Sequence, residues 1–231
     1  MKALILAGGK GIRMMPLTED KPKAMVLLKG KPLLEHSLKA VEKAGIEECG
    51  IVLGKFGEKV KRAFGDKHGE MKLKYFHQEK PLGTAHAVAT AEEWLDEDFL
   101  LLSADVLIES SLLRELAEKR GFAGVLTIRH DDFPEHYGVV SVDGKQVTGI
   151  VEKPWETAAD SLVNAGVYRL SPKIFGAIRK TGRSTRGEFE LTDALKILMS
   201  EGEKIGFVKL KGKCMDLGSI SDLEKAEKSD L

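Results

Sequence analysis

Apolar residues fall in short runs that alternate with stretches of helical spacing. Residues 2–7 form a brief apolar run ending in glycines, and residues 33–44 carry apolar side chains three and four apart, so the opening predicts strand, glycine-rich loop, helix. Further strand-like runs fall at 51–54, 72–77 and 99–104, separated by helical patterns at 58–64 and 84–95. Such alternation predicts an α/β protein built on a doubly wound, mostly parallel, Rossmann-like sheet. After a predicted helix at 110–119 the texture turns β-rich, with runs at 124–129, 138–142, 147–152 and 162–170. Asp143-Gly144 between two of these runs predicts a hairpin, and the whole stretch is expected to form a small inserted β-rich lid over one side of the main sheet. Helical patterns at 172–180 and 189–200, a strand at 205–210 and a helix from Ser219 complete the chain. With no linker, low-complexity tract or repeat, residues 1–231 are expected to form a single domain, the nucleotide-binding half spanning about 1–120.

Bulk properties narrow the chemistry. The chain has 231 residues, enough to bury roughly 70–75% of the surface exposed on unfolding. Lys plus Arg and Asp plus Glu number 36 each, so no global field favours nucleic acid or an anionic membrane, and neither is expected as a partner. Any anionic ligand must be met by a local cluster. The start lacks a leader-like pattern and no apolar stretch approaches ~18 residues, so a cytoplasmic protein is expected. Cys49 and Cys214 lie far apart without metal-ligand spacing, which excludes a disulfide scaffold and a zinc site. Charged residues make up 31% while Asn occurs once and Gln twice, a bias against amides that predicts a thermophilic protein. A melting midpoint within the mesophile range of about 45–65 °C would reject that expectation.

The first chemical signal is LAGGKGIR at 6–13. Three glycines in four positions after a strand let backbone N–H groups converge on an anion. Lys10, Arg13, Lys21 and Lys23, set against Glu19 and Asp20, add the positive charge that a triphosphate requires. Two familiar phosphate loops fail on spacing. A dinucleotide fingerprint beginning at Gly9 needs glycine where Met14 stands, which argues against an NAD-dependent oxidoreductase, and the Gly-Lys-Ser/Thr of a Walker loop is missing.

Three other regions carry candidate chemistry. Residues 77–86, HQEKPLGTAH, leave a strand and enter a helix, where the Gln78 amide and exposed backbone can read a pyrimidine edge; Thr84 is also a plausible helix cap, and His86 reads as a packed helix residue. None of the six His residues is given a catalytic role. Asp105 closes the apolar run 99–104, and strand carboxyl ends are where open α/β sheets bind ligands. Asp216 sits in a short glycine turn before the last helix, and two carboxylates suffice for Mg²⁺, which keeps waters and phosphate oxygens in its shell. The third region comprises YGVV at 137–140, VEKP at 151–154 and VNAGVY at 163–168, with Glu, Asn and Lys suited to hydroxyls and phosphate.

Residues 4–36, LILAGGKGIRMMPLTEDKPKAMVLLKGKPLLEH, resemble the signature of the sugar-phosphate nucleotidylyltransferases, whose usual form is LAGGxGTRLxPLT followed by KPK. The resemblance runs from residue 2 to about 225. It implies a nucleotidyltransferase fold of the GT-A type and a Mg²⁺-dependent transfer from a nucleoside triphosphate to a sugar 1-phosphate. By that resemblance Arg13 braces the triphosphate and Lys23 contacts its phosphates, while Leu6, Ala7, Gly8, Gly9 and Gly11 lie against the nucleotide. The PLGTAHA form looks like the uridine or thymidine version, placing Gln78 and Gly83 at the base and Thr84 among the nucleotide-binding residues. The YGxV, EKP and NAG boxes imply Gly138, Glu152 and Asn164 on the sugar and Lys153 on its phosphate, so about 121–231 would form the sugar-phosphate half. Asp105 and Asp216 would hold the metal. Departures from the family pattern are Ile12 for Thr, Ala104 for Gly before the first Asp, and Cys214 for Trp before the second. No hexapeptide β-helix follows, which implies that the acetyltransferase half of bifunctional relatives and its trimerisation are missing, and a monomer or small homo-oligomer is expected. The alternative of another class is a non-catalytic nucleotide-sugar-binding regulator on the same fold.

Overall fold

The computed structural model describes residues 1–9, 11–210 and 214–229. Its frame is a ten-stranded mixed sheet. The parallel half contains β1 (Lys2–Ala7), β4 (Glu48–Leu53), β6 (Met71–His77) and β7 (Phe99–Ser103), in the order β7-β1-β4-β6. The short β5 (Lys67–His68) closes that edge antiparallel to β6. Along β1, Ala3 and Ile5 enter one apolar cluster and Leu4 the other, the alternation of a strand covered on both faces. Helices α1 (Leu33–Lys43), α2 (Gly57–Phe64) and α3 (Thr84–Ala89) form the crossovers of this half, and α4 (Ser110–Glu118) leads from β7 to the strands that follow.

The β-rich stretch differs from the expected lid. Strands β9 (Gly124–Asp131), β10 (Gly138–Asp143), β11 (Gln146–Glu152), β12 (Ser161–Leu170) and β13 (Ile205–Lys209) continue the same sheet, in the order β10-β11-β13-β9-β12-β7. The splice is antiparallel, with Val167 opposite Leu102 and Leu170 opposite Phe99. Its cause is in β12: Val167, Tyr168, Arg169 and Leu170 are all buried, so this strand has no face to give to solvent and takes an interior place. Arg169 is only 1% exposed and is held by the Asp98 carboxylate and the Phe122 carbonyl. The hairpin at Asp143-Gly144 forms as expected, joining β10 to β11.

The helical pattern at 84–95 breaks after Ala89, leaving a 3-10 turn at Glu92–Trp94. Thr90 Oγ1 donates back to the Ala87 carbonyl at 2.7 Å, a local bond that competes with helix continuation. Helices α5 (Lys173–Ile178) and α6 (Leu191–Ser200) are likewise shorter than their patterns, while α7 (Ile220–Glu227) starts where expected, capped reciprocally by Ser219 and Asp222.

A small third cluster matters most for the site. Met14, Val26, Leu28, Leu33, Leu107, Leu217, Leu223 and Ala226 are buried together, apart from the two faces of the main sheet. It gathers the opening loop, the hairpin β2 (Leu27–Leu28) and β3 (Lys31–Pro32), the pair β8 (Val106–Leu107) and β14 (Met215–Asp216), and α7. Burying Met14 and Leu217 in one cluster brings their polar neighbours Arg13 and Asp216 to the same place.

Candidate active site

The loop after β1 turns back at Gly11, whose φ of 64° lies in the left-handed region, and a Cβ there would come within 2.9 Å of Thr18 Cγ2. A 3-10 turn at Ile12–Met14 follows, and the buried Met14 leaves Arg13 free to face the cleft. The Arg13 guanidinium lies on Gly218, where a Cβ would stand 3.1 Å from Nη2 and 3.3 Å from Cζ. Lys23 is 12% exposed and sets its ammonium on the Asp105 carboxylate. Lys10 lies outside the described residues.

Asp105 and Asp216, remote in sequence, meet through two short strands. Asp216 in β14 lies opposite Val106 in β8, and Leu217 N donates to the Asp105 carbonyl at 2.9 Å. Burial, and then the neighbouring Asp105 charge, push the Asp216 carboxyl up to about 6, with Lys23 and Arg13 opposing. The pair therefore attracts cations, and Lys23 already lies against one member. Among the described residues no group of three or more His, Cys, Asp and Glu side chains could hold a metal. Two carboxylates beside an anion pocket nevertheless fit a hard, oxygen-seeking cation that completes its shell with water and phosphate oxygens.

Two cavities meet at this point. One, of about 480 Å³, is lined by Leu6, Ala7, Gly8, Gly9 and Gly11 of the loop, by Gln78, Gly83 and Thr84, and by Arg13, Lys23 and Asp105. The other, of about 570 Å³, takes Gly138, Glu152, Lys153, Asn164 and Asp216. Arg13, Asp105 and Gly218 belong to both walls. The structure thus gathers the residues that the resemblance offered for nucleotide, sugar phosphate and metal along these two cavities, while Lys21 lines neither.

Several of these residues have internal duties. Thr84 does not cap its own helix; its hydroxyl accepts the Leu191 N–H at 2.9 Å and straps α3 to the start of α6. Gly83, at φ 112°, packs on residue 189 so closely that a Cβ would lie 2.5 Å from the Phe189 carbonyl oxygen. Asn164 takes the Gly166 N–H on Oδ1 at 3.0 Å and donates from Nδ2 to the Tyr168 hydroxyl oxygen at 2.6 Å, which fixes its amide and leaves one N–H and one lone pair for a ligand. Glu152 accepts from Thr192 Oγ1 at 3.1 Å, and burial together with the Glu190 charge raises its carboxyl above the ordinary range. Lys153 holds an unusual left-handed backbone, φ 43°.

Sequence reasoning missed the segment between α5 and α6. Arg186 lines the larger cavity, binds Glu190 through Nη2 at 2.6 Å and comes within 3.9 Å of Glu152. The available signal was an arginine followed by two glutamates, Glu188 and Glu190, at the start of a predicted helix. Gly218 was overlooked as well, although it follows Asp216 in the same turn.

A glycine loop, a carboxylate pair near the strand ends and a second cavity with polar lining are the make-up of a nucleotidyl transferase site. The chain matches the family model described as nucleotidyl transferase over residues 2–231 and belongs to that family. It is 36% identical over 232 residues to the UTP–glucose-1-phosphate uridylyltransferase AglF of Haloferax volcanii, covering 98% of this chain and 95% of that one. It is 38% identical over 228 residues to the bifunctional protein GlmU of Methanococcus maripaludis, covering 98% of this chain and 53% of that one, so it spans about half the length of those bifunctional relatives. A glucose-1-phosphate thymidylyltransferase of Streptomyces antibioticus is 36% identical over 238 residues, covering all of this chain and 66% of that one. Among solved structures, a UDP-glucose pyrophosphorylase complexed with UDP-glucose superposes with a TM-score of 0.85 at 26% identity, covering 98% of this chain and 96% of that one. A glucose-1-phosphate thymidylyltransferase from Bacillus anthracis, itself described as putative, gives 0.87 at 25% identity, covering 98% and 94%.

Proposed function

We propose that this chain transfers a nucleotidyl group from UTP or dTTP to a sugar 1-phosphate, releasing pyrophosphate and leaving a nucleotide sugar. The observation that carries the reading is the meeting of Asp105 and Asp216 at the junction of the two cavities, with Arg13 and Lys23 beside them. Relatives named as uridylyl- and thymidylyltransferases support the same reaction. In this reading the smaller cavity takes the nucleotide and the larger the sugar phosphate.

The attacking sugar-phosphate oxygen is already ionised near neutral pH, since the second phosphate ionisation lies near 6, so no general base is needed. What the protein supplies is alignment and charge. Lys153 orients the attacking phosphate opposite the pyrophosphate leaving group. Gly138, Glu152 and Asn164 hold the sugar ring through its hydroxyls. Lys23 moves from Asp105 toward the triphosphate, and Arg13 stabilises the charge passing to pyrophosphate. Mg²⁺ held by Asp105 and Asp216 would neutralise negative charge where the two phosphates come together. An enzyme that draws on nucleoside triphosphates belongs in the cytoplasm, and no described helix is long and apolar enough to cross a membrane.

The test is a matrix of the four ribonucleoside triphosphates and dTTP against several hexose and amino-sugar 1-phosphates, scored by Mg²⁺-dependent pyrophosphate release. Release with UTP or dTTP and at least one sugar 1-phosphate is expected. No release from any pair would overturn the assignment.

A further inference from the structure

Gln78 is only 6% exposed, yet its amide faces the nucleotide-side cavity. Its orientation is set from within the protein. Nε2 donates to the Gly83 carbonyl at 3.1 Å, and a carbonyl can only accept, so the nitrogen must point that way. The same nitrogen meets His86 Nδ1 at 3.0 Å, which makes Nδ1 the acceptor and puts the ring proton of neutral His86 on Nε2. Both amide hydrogens of Gln78 are thereby used inside the fold. Oε1 is left on the opposite side, where a Cβ built on Gly8 of the phosphate loop would touch it at 3.4 Å.

An amide held like this offers the cavity an acceptor and no donor. Uracil and thymine present a ring N–H at position 3, which matches it. Cytosine presents a bare ring nitrogen there, which would face the oxygen lone pair to lone pair. We infer that His86 is a positioning residue for nucleobase choice: by taking the second amide hydrogen of Gln78 it denies the site a spare donor and so excludes cytosine nucleotides. The inference rests on the pyrimidine nucleotidyl transfer proposed above. Gly83 alone cannot do this, because one carbonyl engages one amide hydrogen and leaves the other free to turn toward a ring nitrogen. Gly83 is the N-cap of α3, its carbonyl also taking the Ala87 N–H at 3.1 Å, and His86 lies in the first turn of the same helix, so one helix start fixes both acceptors.

The experiment compares kcat/KM for the preferred nucleotide, UTP or dTTP, with that for the matching cytosine nucleotide, in the wild type, His86→Phe and His86→Asn. Both nucleotides meet the same enzyme, so any loss of folded protein cancels in the ratio. Phe keeps the ring volume without an acceptor, and the ratio is expected to fall by roughly tenfold or more, the scale of one mispaired buried polar group. Asn can place Oδ1 where Nδ1 stood and is expected to restore the ratio to within about threefold of wild type. If Phe proves too disruptive to purify, His86→Leu provides the same loss of acceptor. An unchanged ratio in the acceptor-free variants overturns the inference and leaves the transferase reading intact. A wild type that turns over no nucleotide overturns that reading, and this inference with it.

Discussion

Asp216→Asn is expected to lower turnover at least about a thousandfold, ~4 kcal/mol in barrier, while leaving the metal-free protein as stable as wild type or more so. The two effects separate because the carboxylate is costly to the apo fold. Burial and the Asp105 charge push the Asp216 carboxyl up to about 6, against 3.8 for a free Asp. The folded state thus binds that proton more tightly than the unfolded chain does. The stability contributed by the protonated group is complete below about pH 4 and is lost as the pH rises through about 6. In the absence of metal, wild type is therefore expected to lose on the order of 2 kcal/mol relative to Asp216→Asn across that window, read as converging or crossing melting curves. Asp105→Asn provides the contrast. It should cost comparable turnover, but it strips the Lys23 ammonium of its partner and is expected to lower the melting midpoint. Near wild-type turnover in both variants would remove the metal assignment. Equal pH profiles for wild type and Asp216→Asn would instead mean that the Asp216 carboxylate is better solvated than its position in β14 implies.

What could be read before any coordinates follows from how local each signal is. The opening strand, its loop and α1 were legible because one stretch carries the pattern, and a buried two-faced strand followed by glycines has few other solutions. Asp105 was legible for the same reason, as the polar end of an apolar strand. Its meeting with Asp216 was implied only by the family resemblance and not by any pattern in the chain, because the pairing of β8 with β14 involves only two residues on each side and leaves no periodic trace. The inserted strands were found one by one, but their place in the sheet was missed. A hydrophobic run at 162–170 says that a strand is buried and cannot say that its neighbour is β7, nor that the contact is antiparallel. Arg186 went unremarked, and the contact of His86 was not foreseen, because their partners are reached only through the fold: Glu152 on β11 in one case, the buried amide of Gln78 in the other.

Arg13→Ala is expected to raise the barrier by about 3–4 kcal/mol, a loss of several hundredfold in kcat, on the scale of a removed oxyanion donor. Its guanidinium lines both cavities, so it faces the place where charge moves from the α-phosphorus to the departing pyrophosphate. A role confined to charge in flight predicts that kcat falls while KM for the nucleotide changes little. Arg13→Lys retains the charge but not the planar fork, and should recover only part of the loss. Gly218→Ala tests the placement without touching the charge. Its methyl would meet the guanidinium at 3.1–3.3 Å, closer than most side-chain contacts, and the flexible Arg13 must give way because Gly218 is tied to the Asp216 turn. Roughly tenfold lower kcat is expected for that variant, with metal binding preserved because both carboxylates remain. If Arg13→Ala costs less than about tenfold, or raises KM with kcat unchanged, Arg13 grips the bound triphosphate and the transition-state charge falls to Lys23 and Lys153.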